Sequence, residues 1–318
     1  MQNYKKCGII GCGNVGATTA YTLMLSGIFN ELVLVDIDTA RASGEAEDIA
    51  HGMPFNSPID IYAGTYANLA DAGLVIITAG VSQRQGETRL DLVQRNTKVF
   101  SSIIENLKKT LFDGIILVVT NPVDILTYVT IALSGYDSKK VFGSGTVLDT
   151  ARLKQLRGNE LEVDPRNVHT FIIGEHGDSE LPVWSSANIS GIDIASYCHK
   201  CCNNCNENTF EQIFENVRDS AYRIIEAKGS TYYAIAEAVR RIVEAIVRDE
   251  RAILPVSALL NGQYGVNGIC MGVPCVVGKN GIEEILEIPL NEEEKNRLTQ
   301  SASTLHSTLN NLRLTITV

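Results

Sequence analysis

The stretch Cys7-Gly8-Ile9-Ile10-Gly11-Cys12-Gly13-Asn14-Val15-Gly16 decides the fold. Its apolar run, Cys7 to Ile10, predicts a short buried strand, and a G-x-G-x-x-G sequence then opens a helix predicted from Val15 to Leu25. Glycine at these places permits a tight turn and a close approach of the backbone to a ligand, while the helix N-terminus offers free N–H groups to a pyrophosphate. Glycines also occur in purely structural turns, so the motif needs support from its surroundings.

That support comes from the next predicted strand, Glu31 to Val35, which leads directly into Asp36, about 20 residues after the last glycine. A carboxylate there can accept hydrogen bonds from both hydroxyls of an adenosine ribose, and it repels a 2′-phosphate. Strand, glycine turn, helix, strand and acid together predict binding of NAD(H) rather than NADP(H). A nicotinamide cofactor implies hydride transfer, for which the protein supplies orientation and a proton.

Further apolar runs alternate with helical patterns through the first half of the chain. Strands are predicted at 74–78, 115–119 and 141–145, and helical spacing covers 93–108. Near-continuous apolar strands separated by helices are typical of a parallel sheet covered on both faces. We therefore predict an α/β fold: a doubly wound parallel sheet (Rossmann) over residues 1–145, followed by an α+β substrate domain over 146–318.

The second half mixes helix and strand patterns. Its predicted elements are a helix at 149–157, a strand at 171–173, a helical region at 209–248 interrupted by Gly229, strands at 252–256 and 273–277, and a last helix opened by Asn291. Glu294 follows Asn291 at the spacing of a capping box.

Composition restricts the possible partners. The 318-residue chain has a formal net charge of −10, which argues against nucleic acid and against an anionic membrane surface. No apolar run approaches the roughly 20 residues of a spanning helix, and the N-terminus lacks a signal-peptide core. We expect a soluble, cytoplasmic protein that acts on a small molecule.

Four of the 8 cysteines lie in Y-C-H-K-C-C-N-N-C, which ends at Cys205. The tandem C-x-x-C-C-x-x-C suggests a zinc site, but structural zinc sites separate their two C-x-x-C pairs by a loop. On a helix, the four thiols would form one stripe rather than a tetrahedron. We therefore predict no metal and reduced thiols, and the role of the cluster stays open.

Polar segments follow the predicted strands, where an open parallel sheet binds its ligand. They are A-G-V-S-Q-R-Q-G-E-T-R (79–89), N-P-V-D (121–124), G-S-G-T-V-L-D-T-A-R (143–152) and G-E-H-G-D-S-E (174–180). His176 titrates near neutral pH and is a candidate proton carrier, although a histidine in a turn can equally have no chemical role. Asp149 and Arg152 share one helix face; the arginine suits a substrate carboxylate, or the two simply pair with each other.

These segments, with G-C-G-N-V-G and in this order, resemble the L-lactate/malate dehydrogenase family over nearly the whole chain. Within that family the likeness is greatest to the bacterial NAD-dependent L-lactate dehydrogenases. The resemblance implies interconversion of (S)-lactate and pyruvate by hydride transfer, with His176 moving the proton. It also implies a homotetramer.

The resemblance assigns roles to individual residues. Asp149 orients His176 and stabilises its imidazolium, and Arg89 closes over the substrate and stabilises charge on the carbonyl oxygen. The implied substrate-binding residues are Gln83, Arg89, Asn121, Asp124, Arg152 and Thr231. The implied cofactor-binding residues are Gly11, Gly13, Val15, Gly16, Asp36, Arg41, Tyr66, Gly80, Val81, Asn121, Ser144 and Ile235.

Selectivity in the family depends on the position that Gln83 holds here. An uncharged amide leaves the second carboxylate of oxaloacetate unpaired, which favours pyruvate. A shift of one residue would place Arg84 there and favour malate, and branched 2-hydroxy acids also stay open. For activation by fructose 1,6-bisphosphate the family uses an arginine and a histidine. His169 matches the histidine, but Lys154 replaces the arginine and lacks its fork, so we expect weak or absent activation.

A rival interpretation is a non-catalytic NAD(H)-binding sensor that uses the cysteine cluster as a redox switch. Such a sensor has no need of His176, Asp149, Arg152 and Arg89 together, so the sequence favours the enzyme.

Overall fold

A computed structural model of the chain describes residues 3–81, 88–201 and 207–312, except for the side chains at 89, 199–201 and 207–209. The strands of these ranges are β1 (Asn3–Ile10), β2 (Glu31–Val35), β3 (Asp60–Ala63), β4 (Ala72–Ile77), β5 (Ile115–Val118), β6 (Val141–Gly143), β7 (Val168–His169), β8 (Ile172–Ile173), β9 (Leu181–Pro182), β10 (Asn188–Ile189), β11 (Ile192–Asp193), β12 (Ala252–Asn261), β13 (Asn267–Gly278) and β14 (Gly281–Ile285). The α-helices are α1 (Asn14–Ser26), α2 (Thr39–His51), α3 (Arg89–Lys109), α4 (Val123–Ser134), α5 (Val147–Glu160), α6 (Ile194–Cys201), α7 (Glu207–Lys228), α8 (Tyr233–Val247) and α9 (Glu292–Asn311).

Six parallel strands lie in the order β3-β2-β1-β4-β5-β6. Strand β4 is buried at every residue and so is β5, as expected for strands covered by helices on both faces. The strand order reverses between β1 and β4, and open sheets bind ligands outside the carboxyl ends of the strands at such a reversal. The doubly wound sheet predicted from the sequence is therefore confirmed.

The sheet does not end at β6. Strand β12 pairs antiparallel with β6, where Ser257 lies opposite Gly143, and β13 and β14 extend the sheet to nine strands. The short strands of the second half form two small sheets, in the orders β11-β10-β7 and β8-β9. One continuous sheet thus joins the first half of the chain to the second, and the division at residue 145 stays a prediction.

Helix boundaries follow local chemistry. The predicted helical region at 209–248 is two helices, because Gly229 adopts φ +85 directly after α7. Asn291 accepts a hydrogen bond from the Glu294 N–H at 2.8 Å and donates its own N–H to the Glu294 carboxylate at 2.9 Å, so the capping box of α9 is confirmed. No helix within the described ranges is both long and apolar enough to span a membrane.

The sequence prediction missed α2, β3, α4 and β14, and also the two-residue strands β7, β9, β10 and β11. Helix α2 buries Ala42, Ala46 and Ile49, and two of these three side chains are too small to give a strong apolar period. Helix α4 is buried on most sides, so its apolar residues show no clear stripe.

Candidate active site and cofactor cleft

A cleft of about 740 Å³ lies at the carboxyl ends of β1, β2 and β4, beside α3. Seven of the predicted cofactor residues line it: Gly11, Gly13, Asp36, Arg41, Tyr66, Gly80 and Val81. The position agrees with the strand-order reversal, and the volume is that of a small-molecule site.

The glycine turn is tight at two of its three glycines. Gly11 adopts φ +102, and a Cβ placed on Gly16 would lie 1.8 Å from the Gly11 carbonyl oxygen. The Thr78 hydroxyl donates to that same oxygen at 2.7 Å. A Cβ on Gly13, in contrast, would meet no protein atom within 4 Å. Gly16 therefore lets α1 pack against the turn, while Gly13 leaves open space on the side of the cleft.

Asp36 fixes the same turn from the next strand. Its carboxylate accepts the Cys12 N–H at 2.6 Å and the Asp38 N–H at 2.9 Å. Each carboxylate oxygen has a further lone pair for a ribose hydroxyl. The geometry thus fits the adenosine side of NAD, and the acid helps to form the turn as well as to bind the ribose.

Helix α3 supplies a wall of the cleft that the sequence analysis did not identify. The wall consists of Lys98, Val99, Ser102, Ile103 and Asn106, one face of the helix. Val99 and Ile103 belong to the helical spacing predicted at 93–108, which gave no indication of a ligand. Polar Ser102 and Asn106 at the same helical spacing were the signal that could have shown a ligand-facing surface.

Asn96 on α3 was also missed, and it links the cleft to the neighbouring strand end. The side chain is 1% exposed. Its oxygen accepts the Val81 N–H at 2.8 Å, and its amide nitrogen donates to the Asn121 carbonyl oxygen at 3.4 Å. A buried asparagine in an apolar helix face was the available signal.

The remaining predicted cofactor residues lie around the cleft without lining it. Gly16 and Val15 begin α1, and Asn121 is exposed at the cis peptide bond to Pro122 after β5. Ser144 is buried after β6, and Ile235 packs partly buried on α8. The Asn14 side chain donates to the Ser230 hydroxyl at 3.1 Å, which ties the glycine turn to the segment before α8. The predicted substrate residue Thr231 lies in that segment, directly after Ser230.

His176, Asp149 and Arg152 form one hydrogen-bonded group. The His176 Nδ1 lies 2.6 Å from Asp149 Oδ2, and Arg152 Nη1 donates to Asp149 Oδ1 at 2.8 Å. Asp149 is almost fully buried, whereas the His176 side chain keeps 24% of its surface exposed. The structure therefore brings the three predicted residues together, with the histidine open to solvent and the acid behind it.

Electrostatics favour a charged imidazole at this place. Burial disfavours the cation, but the charge of Asp149 and its hydrogen bond outweigh burial and raise the pKa of His176 to about 9. Burial likewise opposes ionisation of Asp149, yet the neighbouring His176 and Arg152 hold the pKa of that carboxyl below its usual value. A carboxylate beside a protonated ring stabilises the imidazolium and fixes the proton on Nδ1.

Asp124 supports the backbone of the histidine, and its predicted contact with the substrate stays a prediction. It is 2% exposed, and its carboxylate accepts the His176 N–H at 2.8 Å and the Ser257 hydroxyl at 2.5 Å. Burial raises the pKa of Asp124 to about 6 against these two hydrogen bonds. On the other side of the loop, the Glu175 N–H donates to the Ser301 hydroxyl of α9 at 2.8 Å. The loop is thus held by residues that are distant in the sequence.

Two predicted substrate residues lie partly or wholly outside the described part of the chain. Gln83 is outside the described residues, and only the backbone of Arg89, the first residue of α3, is described. The predicted effector residues are both described: His169 is exposed on β7, and burial lowers the pKa of Lys154 on α5.

In the cysteine cluster only one side chain is described. Cys198 is buried, and Arg157 Nη2 lies 2.6 Å from its sulfur. The side chains of Cys201, Cys202 and Cys205 lie outside the described part of the chain. The arrangement of the four thiols therefore stays a prediction.

Known proteins resemble this chain over nearly its whole length. The NAD binding domain model of the lactate/malate dehydrogenases matches residues 5–143, and the alpha/beta C-terminal domain model of the same family matches residues 146–313. The L-lactate dehydrogenase of Acetivibrio thermocellus is 56% identical over 308 residues, which are 97% of this chain and 97% of that protein. The L-lactate dehydrogenase of a Thermoanaerobacter species is 55% identical over 307 residues, 96% of this chain and 99% of that protein. A crystal structure of the minor L-lactate dehydrogenase from Enterococcus mundtii, in its ligands-bound form, matches with a TM-score of 0.95 at 44% identity and covers 98% of this chain and 99% of that one. The chain therefore belongs to the lactate/malate dehydrogenase family.

Proposed function

We propose that the protein is an NAD-dependent L-lactate dehydrogenase that interconverts (S)-lactate and pyruvate. The observation that carries the proposal is the position of Asp149 between two groups, at 2.6 Å from the His176 ring and 2.8 Å from Arg152. A guanidinium beside a protonated ring suits a 2-oxo acid, because the substrate carboxylate pairs with the first and the ketone oxygen takes a proton from the second.

The chemistry divides between cofactor and protein. The cleft-lining residues would hold NADH, whose nicotinamide would supply the hydride for C2 of pyruvate. Arg152 holds the substrate carboxylate, and the His176 imidazolium gives its Nε2 proton to the ketone oxygen. Asp149 keeps the other ring proton in place and stabilises the positive charge until the transfer. In lactate oxidation, neutral His176 takes the hydroxyl proton at the same nitrogen.

Hydrogen bonds and one short chain segment connect the cleft to His176. Val81 lines the cleft and is held by Asn96, which also contacts Asn121. Three residues further along the chain, Asp124 holds the backbone of His176. This chain of contacts supports a nicotinamide site next to the histidine. We propose that the cleft-lining residues bind NAD, and that Thr231 and Ile235 lie close to the nicotinamide end.

Arg89 and Gln83 complete the proposal through the sequence resemblance. Arg89 would stabilise negative charge that develops on the ketone oxygen. Gln83 would leave a second substrate carboxylate unpaired, so pyruvate is proposed over oxaloacetate.

The test is NADH oxidation with pyruvate, oxaloacetate and 2-oxoisocaproate measured in parallel. We expect pyruvate to give the highest kcat/KM. Turnover with none of the three would reject the enzyme and favour an NAD(H)-binding sensor. A preference for oxaloacetate would reject the role of Gln83 and point to Arg84, while a preference for 2-oxoisocaproate would indicate a larger substrate pocket.

Activation by fructose 1,6-bisphosphate is proposed to be weak or absent. Lys154 can contact a phosphate but lacks the bidentate geometry of arginine, and burial lowers its pKa. Pyruvate KM should therefore change little when the bisphosphate is added. A large decrease in KM that disappears in His169→Ala would contradict this.

The assembly and location are also proposals. The resemblance supports a homotetramer, so light scattering should give about four times the chain mass of 34.6 kDa. A cytoplasmic enzyme that reoxidises the NADH of glycolysis during fermentation fits this activity, and cell fractionation tests the location.

A further inference from the structure

Glu180 lies in the catalytic cluster although the mechanism above does not use it. The residue is 4% exposed. One of its carboxyl oxygens lies within 4.8 Å of the facing atoms of both Asp149 and His176. The Glu180 N–H donates to the Gly177 carbonyl oxygen at 3.2 Å, which closes the turn that returns this side chain toward the histidine.

The charged groups that act on Glu180 come from its own turn and from α5. Asp149 and Asp178 disfavour its negative charge, while His176 and Arg152 favour it. The charges of Arg152 and His176 are already shared with Asp149, which contacts both. Within the described residues, the Glu180 carboxyl makes no hydrogen bond that could stabilise an anion. On α4, buried Asp124 acts on His176 and has its own donors.

Glu180 and Asp149, the two carboxyl groups beside His176, have pKa values that are shifted in opposite directions. Burial, followed by the charge of Asp149, raises the pKa of Glu180 well above its ordinary value. The pKa of Asp149 is lowered by His176 and Arg152 in spite of burial. Because the two pKa values are separated in this way, Asp149 stays ionised and Glu180 can carry a proton.

The substrate adds a further negative charge to this buried group. Ionised Glu180 would place a second carboxylate beside Asp149, in the same buried site that takes the carboxylate of a 2-oxo acid, and an added negative charge there is costly. Neutral Glu180 avoids this repulsion. The charges of Asp124 and of Arg89, which is proposed to close over the substrate, are the same in both cases.

We propose that Glu180 is a charge-setting residue of the active site: it carries a proton while the 2-oxo acid is bound, and its ionisation weakens substrate binding. The inference rests on the proposed function for the identity of the substrate. The complex then loses pyruvate at alkaline pH through two groups, Glu180 and His176, whose titrations are linked.

The test compares pyruvate kinetics of the wild type, Glu180→Gln and Glu211→Gln over a range from about pH 6 to about pH 10. Glu211 is an exposed carboxylate on α7 and serves as the matched control. The ratio of the wild-type KM to the Glu180→Gln KM should rise with pH by up to about tenfold per unit, because one proton fewer is lost from the variant. The corresponding ratio for Glu211→Gln should stay constant.

A KM ratio for Glu180→Gln that does not depend on pH overturns the proposal. So does an effect on kcat alone at every pH, because this would mean that Glu180 acts as an anion on His176. If Glu180→Gln does not fold, Glu180→Met gives an unbranched neutral side chain for the same comparison.

Infrared difference spectra across the same pH range detect the proton without turnover. The wild type and Glu211→Gln should lose a protonated-carboxyl band that is missing from Glu180→Gln, in addition to a band of Asp124 that is common to all three proteins. If Glu180→Gln keeps both bands, the proposal for Glu180 is rejected even if pyruvate is reduced. Failure of the wild type to reduce pyruvate rejects the proposed function instead, and the spectra still decide where the proton lies.

Discussion

At the scale of single residues, the active site depends on the neighbours that stabilise the charge of His176. His176 in isolation is an ordinary histidine in a turn. Asp149 raises its pKa to about 9, so the ring is protonated at neutral pH and ready to donate. Asp124 holds the backbone of His176, whereas Asp149 holds the ring and stabilises its charge, so two different acids support the histidine.

Replacing Asp149 by asparagine should separate these two effects. The backbone anchor stays, but the pKa of His176 should fall toward its ordinary value because the neighbouring charge is lost. We expect kcat/KM for pyruvate at neutral pH to fall by roughly 10²- to 10⁴-fold, the usual range for loss of general acid catalysis. Steady-state kinetics over pH would show the alkaline decline moving to lower pH.

The control for that experiment is Asp60→Asn on β3, an exposed carboxylate far from the histidine in sequence and structure. Its pH profile should match the wild type. An Asp149→Asn profile with the wild-type midpoint and only a lower plateau would contradict the electrostatic role.

At the scale of elements, one glycine of the turn is needed for packing and another for ligand binding. Gly16 contacts the Gly11 carbonyl so closely that no side chain fits, whereas Gly13 has open space beside the cleft. The same motif therefore contains one glycine that the fold needs and one that the cofactor needs.

Alanine at each of these glycines should give opposite results. Gly16→Ala should lower the melting temperature by several degrees or prevent folding, because a Cβ there would overlap the Gly11 carbonyl oxygen at 1.8 Å. Gly13→Ala should fold normally and bind NADH about tenfold or more weakly, because the added methyl enters the cleft. Thermal unfolding and NADH fluorescence titration measure the two effects, and equal loss of stability in both variants would count against this division.

The sequence was informative where local pattern determines structure. Strand β2 was predicted to the residue and β5 to within one, because their apolar runs are short and bounded. The glycine turn and the D-T-A-R helix were also found, since each has a local chemical reason. Helix α2 was missed because small alanines cover its buried face.

The hydrogen bonds that hold the catalytic loop could not be predicted, because they join residues that are remote in sequence. Ser257 contacts Asp124 across 133 positions, and Ser301 contacts the loop backbone across 126. Neither serine carries a local signal. Asn96 and Ser102 are polar residues in the amphipathic helix α3, and the sequence has no further signal that separates them from its other polar residues.

At the scale of the whole molecule, one sheet connects the cofactor cleft with the catalytic loop. Strand β12 pairs with β6 and also carries Ser257, which supports Asp124 and through it His176. Folding of both halves is therefore needed to hold the histidine, and its ionisation in turn affects the stability of the whole.

The free energy of unfolding should fall as pH rises from about 6.5 to about 9. The pKa of His176 is raised from 6.5 to about 9, so its contribution is complete below the first value and is lost as pH passes the second. The slope from this group cannot exceed about 1.4 kcal/mol per pH unit. Urea unfolding at a series of pH values should show a shallower slope in His176→Gln than in the wild type; equal slopes would contradict the raised pKa.

The most direct test of the central claim is the fate of a labelled hydride. NADH carrying deuterium at the transferred position should reduce pyruvate to (S)-lactate with one deuterium at C2, detected by mass spectrometry and chiral chromatography. His176→Gln should bind NADH and form almost none of this product. Unlabelled lactate, the (R) isomer, or equal product from His176→Gln would contradict hydride transfer assisted by the Asp149–His176 pair.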